Sequence, residues 1–220
     1  HIQVMSEEGG LEYLFKVMVV GHSNAGKTSI IQRFTKDNFS ADYKTTIGVD
    51  FFMKKIIWNE DADILLQLWD LGGQDRFTNL SRAYYQQAVG AIVVFDCTSK
   101  DSLLHSKEWK ADIDAKVTWN GKKIPTVLFA NKIDLGAGSF MKDREVLEEC
   151  CRECGFIGWF ETSAKDNVGI DKGMMALISK IMDLGGHAAQ GGATQATNDS
   201  TITIRPRPKK QEVNEKPCCQ

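Results

Sequence analysis

No apolar run in this 220-residue chain approaches the roughly 18 residues that a membrane-spanning helix requires. The longest, such as Val17–Val20 and Ala91–Phe95, are far shorter. Neither sign of charge dominates: 27 Lys and Arg face 29 Asp and Glu, a formal net charge of −2, which excludes the broad basic surface of a general nucleic-acid binder. No internal repeat is present. His1 to Gly10 lacks the basic-then-apolar order of a secretory signal. It is read as a flexible lead, with His1 to Val4 set aside as a remnant ahead of a natural start at Met5. The six cysteines, Cys97, Cys150, Cys151, Cys154, Cys218 and Cys219, are clustered rather than spaced as a disulfide framework, which points inside the cell. A zinc site usually draws two separated pairs of ligands. Cys150-Cys151-x-x-Cys154 is one cluster without a nearby His, and reads as helix packing.

What is present is the composition of a globular protein, 42% hydrophobic and 25% charged. Short β-rich runs at Leu14–Val20, Val49–Trp58, Ile64–Trp69, Ala91–Phe95 and Ile124–Ala130 alternate with amphipathic stretches at Lys27–Lys36, Asp101–Lys116, Met141–Cys154 and Ile170–Met182. A further apolar run precedes Glu161. Continuously apolar strands are what a parallel sheet covered on both faces needs. The polar Asn59-Glu60-Asp61 suits a hairpin. The pattern predicts a three-layer α/β domain over residues 11–183, with a six-stranded, mainly parallel sheet and one antiparallel edge strand. From Leu184 to Gln220 there is no aromatic residue, and three of the chain's four prolines fall there. Such a segment buries too little apolar surface to offset its ordering entropy and is read as a disordered tail.

Gly21-His22-Ser23-Asn24-Ala25-Gly26-Lys27-Thr28 matches G-x-x-x-x-G-K-[ST] directly between a strand and a helix. Its glycines let backbone N–H groups, from Ser23 through Ser29, converge on phosphate oxygens at a helix N-terminus. Lys27 would neutralise the β and γ phosphates, and the Thr28 hydroxyl would coordinate Mg²⁺. This motif predicts a nucleoside triphosphate without saying which. Asn131-Lys132-Ile133-Asp134 stands where a strand ends, the edge at which such sheets bind ligands. A carboxylate at Asp134 accepts from both the ring N–H and the exocyclic amine of guanine; adenine offers neither donor there. Lys132 can lay its stem on the ring face, and Ser163-Ala164-Lys165 offers N–H groups to the guanine oxygen. Asp70 can hold Mg²⁺ through a water, the Gly73 N–H can bond the γ phosphate, and Gln74 can orient an attacking water. Thr46 can give Mg²⁺ a second hydroxyl. Two loops held by the γ phosphate and its metal would loosen once that phosphate leaves, which is an order–disorder switch.

In this order the motifs resemble those of the small GTPases of the Ras superfamily, which implies a P-loop GTPase fold. Ile47-Gly48-Val49-Asp50-Phe51, Trp69-Asp70 and Tyr84-Tyr85 resemble the Rab family. Leu14-Phe15-Lys16-Val17, Leu66-Gln67-Leu68-Trp69-Asp70 and Gly158-Trp159-Phe160-Glu161-Thr162-Ser163-Ala164-Lys165 resemble the branch that serves lysosome-related organelles. The resemblance implies that Phe39 stacks on guanine and that Ile47, Phe51, Trp69 and Tyr84 form a surface read by effectors. Each aromatic also reads as simple core packing; for Trp69 the two readings weigh about equally and can coexist. It also implies a GTP/GDP-cycling monomer with an exchange factor, an activating protein, a prenyl-binding chaperone and effectors as partners. Its expected location is the cytoplasm and the cytosolic face of late endosomes, lysosome-related organelles or Golgi-derived vesicles. The chain departs from the family at Leu71-Gly72-Gly73-Gln74-Asp75, where Rabs usually carry Ala before the Gly-Gln pair. Gly72 widens the conformations open beside Gln74, so slow hydrolysis of GTP to GDP, or a changed response to the activating protein, is expected, and a GTP-bound scaffold with impaired hydrolysis is the alternative. A nucleotide kinase would need an acceptor site and a lid, for which no inserted segment exists.

Lys216-Pro217-Cys218-Cys219-Gln220 is not a C-a-a-X box. The adjacent pair resembles the double-cysteine ends of Rabs, which take two geranylgeranyl chains. Two chains anchor durably where one is marginal, and upstream basic residues add attraction to an anionic leaflet.

Overall fold

The computed structural model describes residues 3–7, 10–41, 45–73, 81–141 and 144–190. Its main sheet runs in the order β3 (Val49–Asn59), β4 (Ala62–Leu71), β2 (Gly10–Gly21), β5 (Gly90–Asp96), β8 (Thr126–Asn131) and β9 (Trp159–Thr162). All neighbours are parallel except the β3–β4 hairpin, whose turn falls at Glu60-Asp61. These six strands are the mainly parallel sheet with one antiparallel edge strand that the sequence predicts; a seventh strand, at Gln3–Glu7, adds a second antiparallel pairing.

Alternation within each strand builds the layers. Phe15, Val17 and Val19 of β2, with Ile64, Leu66 and Leu68 of β4, pack beneath α1 (Lys27–Lys36) and α5 (Ile170–Gln190). Met18 and Val20, with Val93, Phe95 and Leu128, face α2 (Ser81–Tyr85), α3 (Lys100–Lys116) and α4 (Arg144–Cys154). β2 takes β4 on one side and β5 on the other. The loop that follows β2 therefore opens where the strand order reverses, the place where ligands sit in such sheets.

Three boundaries differ from the sequence reading. The amino-terminal lead is not featureless: β1 (Gln3–Glu7) pairs antiparallel with Gly10–Leu14 of β2. β5 pairs only with Val17–Gly21, so the first half of β2 keeps an open edge, and β1 takes it. α5 continues past Asp183 to Gln190. Gly185-Gly186 does not stop it, because extending an existing helix costs far less than nucleating one. α4 starts at Arg144, not Met141. Ser139–Met141 is a 3₁₀ turn closed by Met141 N–H on Gly138 O, with Met141 buried. Two short strands not foreseen, β6 (Thr118–Trp119) and β7 (Lys122–Lys123), form a small hairpin after α3. Gln74 and the tail from Gly191, including Cys218 and Cys219, lie outside the described residues.

Candidate functional site

The carboxyl ends of β2, β4, β8 and β9 frame one cleft of about 590 Å³, within the range of small-molecule sites. It is lined by Ser23, Asn24, Gly26, Lys27, Thr28 and Ser29 from the phosphate loop, by Phe39, Thr46 and Gly73, and by Asn131, Lys132, Asp134, Ala164 and Lys165. Gln32, Ser40, Ala41, Thr45 and Leu135 join them without having been foreseen.

Gly26 caps α1 with φ of 91°, a left-handed conformation, and without a side-chain cap. A Cβ there would lie 2.3 Å from Asn131 Nδ2, so only glycine fits. The first turn of α1 contains no acidic residue, which leaves the positive end of the helix dipole facing the cleft. Lys27 is buried, and its ammonium donates to Gly21 O and His22 O, both at 3.0 Å. Across the cleft Gly73 presses on the same loop: a Cβ there would lie 2.4 Å from Ser23 N.

Three hydroxyl and carboxylate groups converge beside Lys27. Thr28 Oγ1 donates to Asp70 Oδ2 at 2.5 Å and lies 2.9 Å from Thr46 Oγ1. Asp70 is fully buried, and burial raises its carboxyl to about 6, against the opposing pull of Thr28 and Lys27. Its Oδ1 is buried without a hydrogen-bond partner. An orphaned carboxylate oxygen beside two hydroxyls is a set of hard donors suited to Mg²⁺.

The base end is built from three strands. Asn131 is buried; its Nδ2 donates to Ala25 O at 2.9 Å and its Oδ1 accepts from Thr162 Oγ1 at 3.3 Å. It thereby staples the phosphate loop to β8 and β9. Ala25, itself buried, contributes the carbonyl. Lys132 stands in the left-handed region at φ 70° and its Nζ meets Asp96 Oδ2 at 2.7 Å, which holds the aliphatic stem along the cleft wall. Asp134 sits in a one-turn 3₁₀ helix, Ile133–Leu135, with its Oδ1 accepting from Ser163 Oγ at 2.7 Å. Ser163 and Ala164 are buried. Arg33, on α1, escaped the sequence reading: its Nε donates to Ala164 O at 2.8 Å and its Nη2 to Lys165 O at 3.1 Å. Tying down those carbonyls orients the 163–165 loop. No local pattern marks Arg33, because its partners lie more than 130 residues away in sequence.

Outside the cleft, Ile47 is 91% and Phe51 65% exposed. The Phe51 and Trp69 rings lie 6.3 Å apart. Trp69 and Tyr84 are partly buried against the core, which is the packing role read for Trp69. Lys16 Nζ lies 3.7 Å over the Trp69 ring and donates to Gln86 O at 2.9 Å.

Comparison with known proteins agrees with this arrangement. The Ras family model matches residues 16–183. The chain is 49% identical to Ras-related protein Rab-32A of Dictyostelium discoideum, over 80% of this chain and 81% of that protein. It is 48% identical to human Ras-related protein Rab-32, over 78% of this chain and 76% of that protein. It is 39% identical to rat Ras-related protein Rab-7L1, over 91% and 97% respectively. A chain with these motifs, this sheet and these relatives belongs to the Rab proteins of the Ras family and is a GTPase.

Proposed function

We propose that the cleft binds GTP and GDP with Mg²⁺, and that the two states switch effector recruitment in endolysosomal or lysosome-related traffic. The observation that carries the nucleotide assignment is Asp134, held by Ser163 in the same cleft as the uncapped N-terminus of α1. One end accepts a purine's donor pair, and the other receives phosphates. Thr28, Thr46 and Asp70 would hold the Mg²⁺, which when bound neutralises charge on the β and γ phosphates. Lys27 adds a fixed positive charge, Gly73 offers its N–H to the γ phosphate, and Gln74 orients the water. The kinship with Rab-32A and Rab-32 supports the trafficking role. So does the exposed Ile47–Phe51 surface beside Trp69 and Tyr84. Among the described residues no helix is long and apolar enough to cross a membrane. Attachment is assigned to geranylgeranyl groups on Cys218 and Cys219, with a prenyl-binding chaperone, an exchange factor and an activating protein as partners.

Gly72 supports slow intrinsic hydrolysis, since the backbone next to Gln74 is less restricted than with alanine. Filter-retention titrations test the base assignment: GTP and GDP are retained, and equal uptake of ATP would overturn it. Gly72→Ala tests the second point. Single-turnover hydrolysis becomes faster in the variant, and an unchanged rate removes the effect of Gly72.

A further inference from the structure

His22 in the phosphate loop and His105 in α3 bring their rings to 4.7 Å between centroids, tilted by 42°. Each ring has its own backbone acceptor. Nδ1 of His22 lies 2.9 Å from Ser23 O, and Nδ1 of His105 lies 2.7 Å from Asp101 O, one helical turn earlier. A carbonyl oxygen only accepts, so Nδ1 carries a hydrogen in both rings, and Nε2 is the nitrogen that a neutral ring offers to a metal. That is the tautomer and support found in metal-bound imidazoles, one nitrogen donating to a carbonyl and the other left to coordinate. His22 is exposed and His105 partly buried, so the pair is open to ions. Nucleotide binding uses the main chain of a phosphate loop at this position, and nothing in that chemistry calls for an imidazole at residue 22.

We propose that His22 and His105 form a two-imidazole site for a divalent transition metal of borderline softness, represented by Zn²⁺, which ties the phosphate loop to α3. Imidazole suits such ions, whereas Mg²⁺ is hard, prefers oxygen and does not compete. Among the described residues no cluster of three or more His, Cys, Asp and Glu forms a metal site, so water completes the coordination sphere. The site adjoins the switch machinery. His22 O accepts from Lys27 Nζ, and a Cβ on Gly73 would lie 2.9 Å from the His22 carbonyl carbon. Metal held across the pair restrains this segment, so metal and nucleotide change each other's affinity by the same factor.

The test uses the full chain loaded with GDP and Mg²⁺, with Cys218→Ser and Cys219→Ser so that tail thiols do not take the metal. Zn²⁺ is titrated while the histidine Cε1–H signals are followed by NMR. The His22 and His105 signals are expected to move together and saturate at one equivalent. In His22→Gln the His105 signal stays still, and in His105→Gln the His22 signal stays still. The proposal is overturned if either remaining ring still responds as in the unsubstituted protein, or if metal is taken up while both rings stay unmoved. His105 lies outside the nucleotide cleft, so His105→Gln decides the matter alone should His22→Gln fail to hold GDP.

Discussion

Ser163 Oγ donates a 2.7 Å hydrogen bond to Asp134 Oδ1, and the same oxygen of Ser163 accepts from Asp166 N–H at 2.9 Å. The serine is thus locked between two partners and fixes the carboxylate proposed to select the base. Asp134→Asn replaces an acceptor with a donor opposite the exocyclic amine of guanine. GTP affinity is expected to fall by roughly a thousandfold or more, the scale on which a site built for hydrogen bonds rejects a mismatched ligand. Xanthosine triphosphate carries an oxygen in place of the exocyclic amine and should regain affinity in the variant. Competition against a fluorescent GDP measures both.

Asn131 contacts the phosphate loop and β9 with one amide. Asn131→Ala leaves Ala25 O and Thr162 Oγ1 without that partner inside the protein, at a cost of about 1–3 kcal/mol. Because the staple joins the two halves of the cleft, GDP should dissociate faster by about tenfold or more, which is about 1.4 kcal/mol. Stopped-flow release of labelled GDP and thermal unfolding of the nucleotide-free chain check the two parts separately.

Arg33→Met keeps the aliphatic stem but removes the donors to Ala164 O and Lys165 O. The 163–165 loop then loses its outer support. Guanine nucleotide affinity is expected to drop about tenfold, with discrimination against ATP reduced as well. A variant that binds GDP as tightly as the parent would show that the loop keeps its shape without α1.

The strands and the chemistry were legible because both are written locally. Runs such as Ala91–Phe95 have no polar break, and the phosphate-loop motif Gly21–Thr28 begins where a strand ends. The couplings across the cleft were not. Arg33 and Asn131 act on residues more than 100 positions away, and nothing in their neighbourhoods records it. Asn131 belongs to the motif assigned to the base, and its amide also ties the loop to Thr162, a second task that the motif does not reveal. The extension of α5 across Gly185-Gly186 shows the same limit from the other side, since a local stop signal is a weak preference that an established helix can overrun.

Gly73→Ala places a methyl group 2.4 Å from Ser23 N, so the segment leading to Gln74 cannot close on the phosphate loop. A misplacement of about 1 Å at a reacting centre can cost about 10²-fold in rate. Single-turnover hydrolysis should fall by that order while GDP, which lacks the γ phosphate, is still retained. Equal loss of GDP binding would mean that Gly73 supports the loop itself rather than the hydrolytic geometry.

Lys16 carries one part of the pH dependence of stability. Burial lowers its ammonium from 10.5 to about 8, and it is held by Gln86 O and the Trp69 ring. Between about pH 8 and 10.5 the unfolded chain therefore binds more protons at this residue than the folded one, and stability contributed here rises with pH across that window. Below about pH 8 both states are protonated and the contribution is flat. Lys16→Met removes the titration. The difference in urea midpoint between the parent and Lys16→Met should be constant from about pH 6.5 to 8 and then shift in favour of the parent towards about pH 10. Other groups titrate in both proteins and cancel in the difference, so a difference that stays level across the whole range would mean that Lys16 keeps its ordinary affinity for the proton despite its burial.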